Sequence, residues 1–247
     1  MDLGLSGRVA VVTGGASGIG AATALALARE GCDVAIADRE SASREALIPI
    51  EGEGRRAHWI VADVRDAALA ERSIADVVAK LGRLDILVCA AGITNDAVSW
   101  KMTPEQWDEV IGVNLTGCFH WNRAAARVLR ERGWGRIVNI ASINGLRGKV
   151  GQANYAASKG GMIALSKSLA KELGRSGVTV NVVAPGMVKT AMVAALPDRF
   201  LEAAADESAV GRIAEPEDCA SAVAWLCSER ARHVTGHVLK VDGGQYI

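Results

Sequence analysis

The chain has 247 residues, half of them hydrophobic, and its 28 basic side chains are balanced by 28 acidic ones at a pI near 6.9. That length can bury one large core, and the neutral balance excludes the broad basic surface that binds nucleic acid. There is no run of eighteen apolar residues and no basic N-terminal stretch leading into an apolar one, so no membrane partner is expected and the cytoplasm is the expected compartment.

Short β-branched runs alternate with alanine-rich segments of helical period along most of the chain, the pattern of βα units around a parallel sheet. Strands are expected near residues 9–13, 34–38, 57–62, 84–89, 136–141, 179–184 and 238–241, and helices near 18–30, 66–80, 109–131, 152–175 and 216–228. Thr103-Pro104-Glu105-Gln106 reads as a capping box with proline at the first helical position. The expected fold is therefore α/β, one doubly wound domain over 1–247 with seven parallel strands and helices on both faces. Residues 187–212 carry Met187, Val188, Met192, Val193, Leu196 and Phe200 without a strand pattern, and an irregular excursion of that length reads as a substrate-binding lid.

The first βα turn, Thr13-Gly14-Gly15-Ala16-Ser17-Gly18-Ile19-Gly20, opens the first helix, where backbone N–H groups meet phosphates. A side chain at Gly14, Gly18 or Gly20 would block a tight turn or a pyrophosphate's approach. Taken alone, the turn could equally be a glycine-rich connection without a ligand. Asp38, twenty residues beyond Gly18 at the end of the second strand, stands where a carboxylate accepts from an adenosine ribose and repels a 2'-phosphate. NAD is thus expected over NADP, with Arg39 beside Asp38 as the competing feature, since a guanidinium pairs with phosphate.

Tyr155 and Lys159 stand four apart in a helical segment, with Ser142 thirteen residues upstream. One helical face would bring ammonium and phenol together. Lowering a phenol's pKa by about three units takes roughly 4 kcal/mol, which two charges about 4 Å apart supply at an effective dielectric near 20. Burial opposes this, so a second cation or a hydroxyl such as Ser142 is needed. On spacing alone, an amphipathic ring packed beside a solvated amine explains the pair as well.

The five cysteines (Cys32, Cys89, Cys118, Cys219, Cys227) contain no C-x-x-C pair and read as reduced, buried thiols. His233 and His237 flank a turn, and no metal site is expected.

Thr13-Gly14-x-x-x-Gly18-Ile19-Gly20, Asp63-Val64, Asn114, Ser142, Tyr155-x-x-x-Lys159, Asn181, Pro185-Gly186 and Val241-Asp242-Gly243-Gly244 together resemble the classical short-chain dehydrogenases/reductases from end to end. The resemblance implies a Rossmann domain, hydride transfer, and usually a homotetramer. It implies Asn114, Ser142, Tyr155 and Lys159 as the catalytic set. Lys159 would lower the Tyr155 pKa and hold the nicotinamide ribose, while Asn114 would hold a proton-relay water. The cofactor contacts implied are Gly14, Ser17, Gly18, Ile19, Gly20, Asp38, Arg39, Asp63, Val64, Ala91, Gly92, Tyr155, Lys159, Pro185, Gly186, Val188 and Thr190. Those to substrate are Ser142, Asn144, Gln152, Tyr155, Met187 and Met192.

Cys89-Ala90-Ala91-Gly92 departs from the family's Asn-Asn-Ala-Gly, and Cys89 reads as a packing substitute. Within the family, Gly92-Ile93-Thr94-x-Asp96 and Gly151-Gln152-Ala153-Asn154-Tyr155 look most like 3-oxoacyl-thioester reductases. With NAD as cofactor, oxidation of a 3-hydroxyacyl-CoA or an alicyclic hydroxy-thioester is the expectation. Arg132-Gly133-Trp134 and Arg175-Ser176-Gly177 lie near the surface where relatives that use acyl carrier protein place arginines. A 3-oxoacyl-carrier-protein reductase, a free secondary-alcohol dehydrogenase and a non-catalytic NAD-binding regulator are the alternatives.

Overall fold

The computed structural model describes residues 2–39, 44–194 and 196–247. Seven strands, β1 (Val9–Thr13), β2 (Asp33–Asp38), β3 (Ala57–Val61), β4 (Ile86–Cys89), β5 (Gly135–Ile140), β6 (Val178–Pro185) and β7 (Val238–Val241), form one sheet in the order β3-β2-β1-β4-β5-β6-β7. Every pairing is parallel. This is the doubly wound Rossmann arrangement, and the order reverses between β1 and β4, where a crevice opens beyond the strands' C-terminal ends.

The central strands are buried on both faces, which is why they read as continuous apolar runs. Along β1, Val9 and Val11 enter one core with Trp121, Leu129 and Met162, while Ala10 and Val12 enter the other with Leu27, Ile50 and Leu226. The covering helices are α1 (Gly18–Arg29), α2 (Arg44–Gly52), α3 (Ala67–Leu81), α4 (Pro104–Ile111), α5 (Cys118–Arg132), α6 (Asn144–Arg147), α7 (Ala153–Leu173), α8 (Ala191–Ala194), α9 (Asp198–Glu207) and α10 (Pro216–Cys227).

The expected capping box is present: Thr103 Oγ1 accepts from Gln106 N and Gln106 Oε1 accepts from Thr103 N. Helix α2 has no counterpart among the expected elements, because Pro49 inside it argues against a helix. Burial of Ile50, with Ala46 and Leu47 packed around the same core, outweighs the lost backbone bond. The helix expected at 109–131 is one continuous rod from α4 to α5 with a π-helical turn at Gly112–Gly117. The 187–212 segment is not irregular throughout: it carries α8 and α9, and Val188 bridges to Ala214.

Asn181 ties β6 to the turn before β7, donating to Val234 O and accepting from His237 N. Among the described residues no helix is long and apolar enough to cross a membrane, and no cluster of three metal-ligating side chains occurs.

Candidate active site

One cavity of about 920 Å³ opens at the switch point. It is bordered by all the cofactor and substrate residues expected from the sequence; of the expected site residues only Asn114 lies behind its wall. They come from five segments: the β1–α1 turn, the ends of β2 and β3, the turn after β4, the β5–α6 turn with α7, and the chain after β6.

The glycine turn is built for a close neighbour. Gly14 and Gly18 have positive φ, and a Cβ on Gly14 would stand 2.7 Å from the backbone of Ala91. A Cβ on Gly20 would fall inside the van der Waals shell of Gly14 O. Ser17 precedes α1 in extended conformation without a capping side-chain bond, so the first N–H groups of α1 face the cavity as an anion cradle. Gly20→Ala is expected to lower nicotinamide-cofactor affinity by on the order of tenfold to a hundredfold, since the turn must shift to admit the methyl. Unchanged affinity in a fluorescence titration would show that the turn does not meet the ligand.

Asp38 is held against this turn: Ala16 N donates to Oδ2 at 3.2 Å and Arg39 N to Oδ1 at 2.7 Å. Asp63, two residues beyond β3, is gripped by Arg65, whose Nε and Nη2 lie 3.0 and 2.5 Å from its carboxylate. The Arg65 guanidinium holds the Asp63 carboxyl below the ordinary carboxylate range. A cavity with a helix N-terminus, a carboxylate twenty residues on and no room for side chains at its glycines fits a dinucleotide.

At the other end, Ser142 follows β5, and Tyr155 and Lys159 share one face of α7. The Lys159 ammonium sits 5.6 Å from the Tyr155 ring centroid and donates to Ile140 O at 2.7 Å. The protein's own groups do not lower the phenol. Tyr155 reaches the cavity, yet the dense protein around it pushes its phenol up to about 12, with the Ser142 hydroxyl pulling the other way. Burial also pulls Lys159 down from 10.5 to about 8. Desolvation opposes both charged forms and is the largest influence on each.

Asn114 lies in the π turn with its side chain fully engaged. Its Oδ1 accepts from Ile93 N at 2.9 Å, and its Nδ2 donates to Ile93 O and to Ser158 Oγ. The amide therefore fastens the turn after β4 to α7.

Cys89 does more than pack: its sulfur lies 3.4 Å from Asn122 Nδ2, in a buried network with Cys118, Asn139 and Ser166. Its thiol is pushed well above the ordinary value, first by its hydrogen bond with Cys118 and then by burial. It is no nucleophile.

A hydrogen-bonded chain through Ser142, Asn144 and Gln152, all expected at the substrate from the sequence, rims the substrate end and runs on to Asp96. Asn144 N donates to Ser142 Oγ at 3.1 Å, Asn144 Nδ2 to Gln152 Oε1 at 3.0 Å, and Gln152 Nε2 to Asp96 Oδ2 at 2.8 Å. Arg147, Glu207 and Gln245 also border the cavity; their mutual contacts span 60 and 98 residues, which no local motif signals. Asp198, Arg199 and Arg212 stay outside it, and Arg212 pairs with Asp218.

A family model described as enoyl-(acyl carrier protein) reductase matches residues 14–245. An acetoacetyl-CoA reductase of Rhizobium meliloti (strain 1021) is 46% identical over 241 residues, covering 97% of this chain and 99% of the relative. A 3-oxoacyl-[acyl-carrier-protein] reductase of Thermotoga maritima is 40% identical over 244 residues, at 98% and 99% coverage. The short-chain reductase protein NovJ of Streptomyces niveus is 42% identical over 245 residues, at 96% and 93%. With the parallel sheet, the glycine turn and the Ser142, Tyr155 and Lys159 cluster in place, these similarities establish that the chain belongs to the short-chain dehydrogenase/reductase family of nicotinamide-dependent oxidoreductases.

Proposed function

We propose that the protein interconverts 3-oxoacyl and 3-hydroxyacyl thioesters with NAD(H), using a coenzyme A thioester. The observation that carries the reading is the convergence of Ser142, Tyr155 and Lys159 on the cavity that also holds Asp38 and the α1 N-terminus. The names of the relatives, an acetoacetyl-CoA reductase and a 3-oxoacyl-carrier-protein reductase among them, support the substrate class.

Reduction of a ketone needs hydride at the carbonyl carbon and a proton at its oxygen. The bound nicotinamide supplies or accepts the hydride. Tyr155, its phenol pushed up to about 12, carries its proton throughout the neutral range and delivers it from Oη to the ketone oxygen. Ser142 Oγ, steadied by Asn144 N, donates to that same oxygen. Lys159, poised near 8, is the proton store behind the phenol and would hold ribose hydroxyls. A protonated phenol is loaded for reduction at pH 7; in oxidation the same atom must first be emptied, so rising pH favours the hydroxyacyl-to-oxoacyl direction.

Asp38 carries the preference for NAD, because its carboxylate, fixed beside the phosphate turn, repels a 2'-phosphate. Arg132 lies 3.9 Å from Asp85, and Trp134 is stacked between the Arg8 and Arg136 guanidiniums at 3.7 and 4.2 Å. These contacts lie at the N-terminal ends of β1 and β5, and Arg175 is exposed; the preference for coenzyme A over a carrier protein is supported by the name of the acetoacetyl-CoA reductase, which has the higher identity of the two relatives. Membership of the family supports assembly into a homotetramer.

A screen of acetoacetyl-CoA reduction with NADH and NADPH, and of 3-hydroxybutyryl-CoA and simple secondary alcohols with NAD and NADP, tests the reading. Turnover with NAD(H) and thioesters is expected, and Asp38→Ser should weaken NAD binding by about tenfold or more, the worth of hydrogen bonds to a charged group. Turnover confined to NADP(H), or to free alcohols, would overturn the respective part.

A further inference from the structure

Arg147, the last residue of α6, joins three parts of the substrate end of the cavity: α6 itself, α9 and the C-terminal segment at Gln245. Its Nε donates to Asn144 Oδ1 at 3.3 Å, its Nη1 to Gln245 O at 3.2 Å, and its Nη2 to Glu207 Oε2 at 3.1 Å. Asn144 is the residue whose backbone N–H steadies Ser142. Glu207 ends α9, the helix whose Phe200, Ala203 and Ala204 border the cavity. Gln245 in turn accepts from Met187 N through Oε1 and donates to Ala204 O on α9 through Nε2. The backbone at Arg147 lies open to solvent, yet its side chain is only 26% exposed, and three acceptors on separate segments converge on one rigid fork.

We infer that Arg147 is a positioning residue that sets substrate affinity by fastening α9, through Glu207 and Gln245, to the turn that carries Ser142. Met192, Leu196 and Phe200 are large apolar side chains left 38–48% exposed at the cavity. α9 supplies Phe200 among them, so fixing α9 fixes part of the apolar wall against which an acyl group packs. Arg147 donates no bond to Tyr155, Lys159 or Ser142, so its removal bears on binding and not on proton transfer.

The role as stated rests on the thioester reading above, and the experiment separates the two. Steady-state kinetics with acetoacetyl-CoA and the preferred reduced cofactor are compared for wild type, Arg147→Gln, Glu207→Ala and the double variant. Each single change is expected to raise KM for the thioester about three- to fivefold, the upper range for a partly exposed ion pair. kcat should stay within about twofold, the cofactor Kd should not move, and the double variant should be no worse than Arg147→Gln. Arg147→Lys keeps a charge for Glu207 without the fork and should recover part of the loss.

Trypsin cleavage after Arg199 in α9, followed by mass spectrometry, reads the same fastening without any substrate and should quicken about three- to fivefold in both single variants. If Glu207→Ala leaves KM and cleavage at wild-type values while Arg147→Gln lowers kcat, Arg147 acts on the Ser142 turn alone and the inference falls. If wild type fails to turn over the thioester, the functional proposal falls, and the cleavage rates still decide whether Arg147 holds α9.

Discussion

Tyr155→Phe is expected to lower kcat for ketone reduction by on the order of a hundredfold to ten-thousandfold, the usual contribution of a positioned acid, while cofactor Kd stays within about twofold. The variant removes one oxygen from the cavity wall and leaves the glycine turn, Asp38 and Lys159 in place, so binding and chemistry separate cleanly. The wild-type pH profile sharpens the test. With the phenol pushed up to about 12, reduction should change little across the neutral range, whereas oxidation of the hydroxyacyl thioester should climb with pH as the phenol loses its proton. A Phe variant with wild-type kcat would refute the assignment of the proton to Tyr155. An oxidation rate flat from pH 6 to 9 would mean that another group takes it.

Lys159→Met is expected to stabilise the protein at pH 7 while impairing turnover. The unfolded lysine keeps its proton up to its ordinary 10.5, but the buried one gives it up near 8. Between those values the unfolded chain binds more protons, so wild-type stability rises with pH there, and below 8 the whole cost of burying the charge is present. The gap corresponds to about 3 kcal/mol. Leaving Ile140 O without its donor returns about 1 kcal/mol, for a net gain near 2 kcal/mol at pH 7. Urea unfolding at pH 7 and at pH 10 checks it: the advantage of the methionine variant should shrink at the higher pH. A variant less stable than wild type at pH 7 would show that the buried ammonium is not a strained group. The stability lost to a buried lysine at the reaction centre is the kind that function retains.

Where physics acts over a few residues, the sequence is legible. Val9–Thr13 is a strand because β-branched residues crowd a helix and suit a pleated, doubly buried layer. Thr103 and Gln106 cap a helix start through bonds three residues apart, Gly14 and Gly20 stand where there is no space for a Cβ, and Gly18 stands at a positive φ. Tyr155 and Lys159 share a face because a helix returns every fourth residue to the same side. The family and the parallel, doubly wound sheet follow from such local signals repeated in order along the chain.

What only the tertiary structure decided lies where distant segments meet. Pro49 speaks locally against a helix, but the core around Ile50 imposes one. Asn114 spends its amide on Ile93 and Ser158, 21 and 44 residues away, tying the turn after β4 to α7. The 247-residue order of amino acids places an ammonium near a phenol, but whether attraction or desolvation prevails depends on how much protein surrounds the pair, and here desolvation prevails. Arg147 carries no local mark of its role, since Glu207 and Gln245 stand 60 and 98 residues downstream. Propensity and periodicity act through neighbours in the chain, whereas burial, charge balance and long-range hydrogen bonds act through neighbours in space, which exist only once the sheet has closed the distances between them.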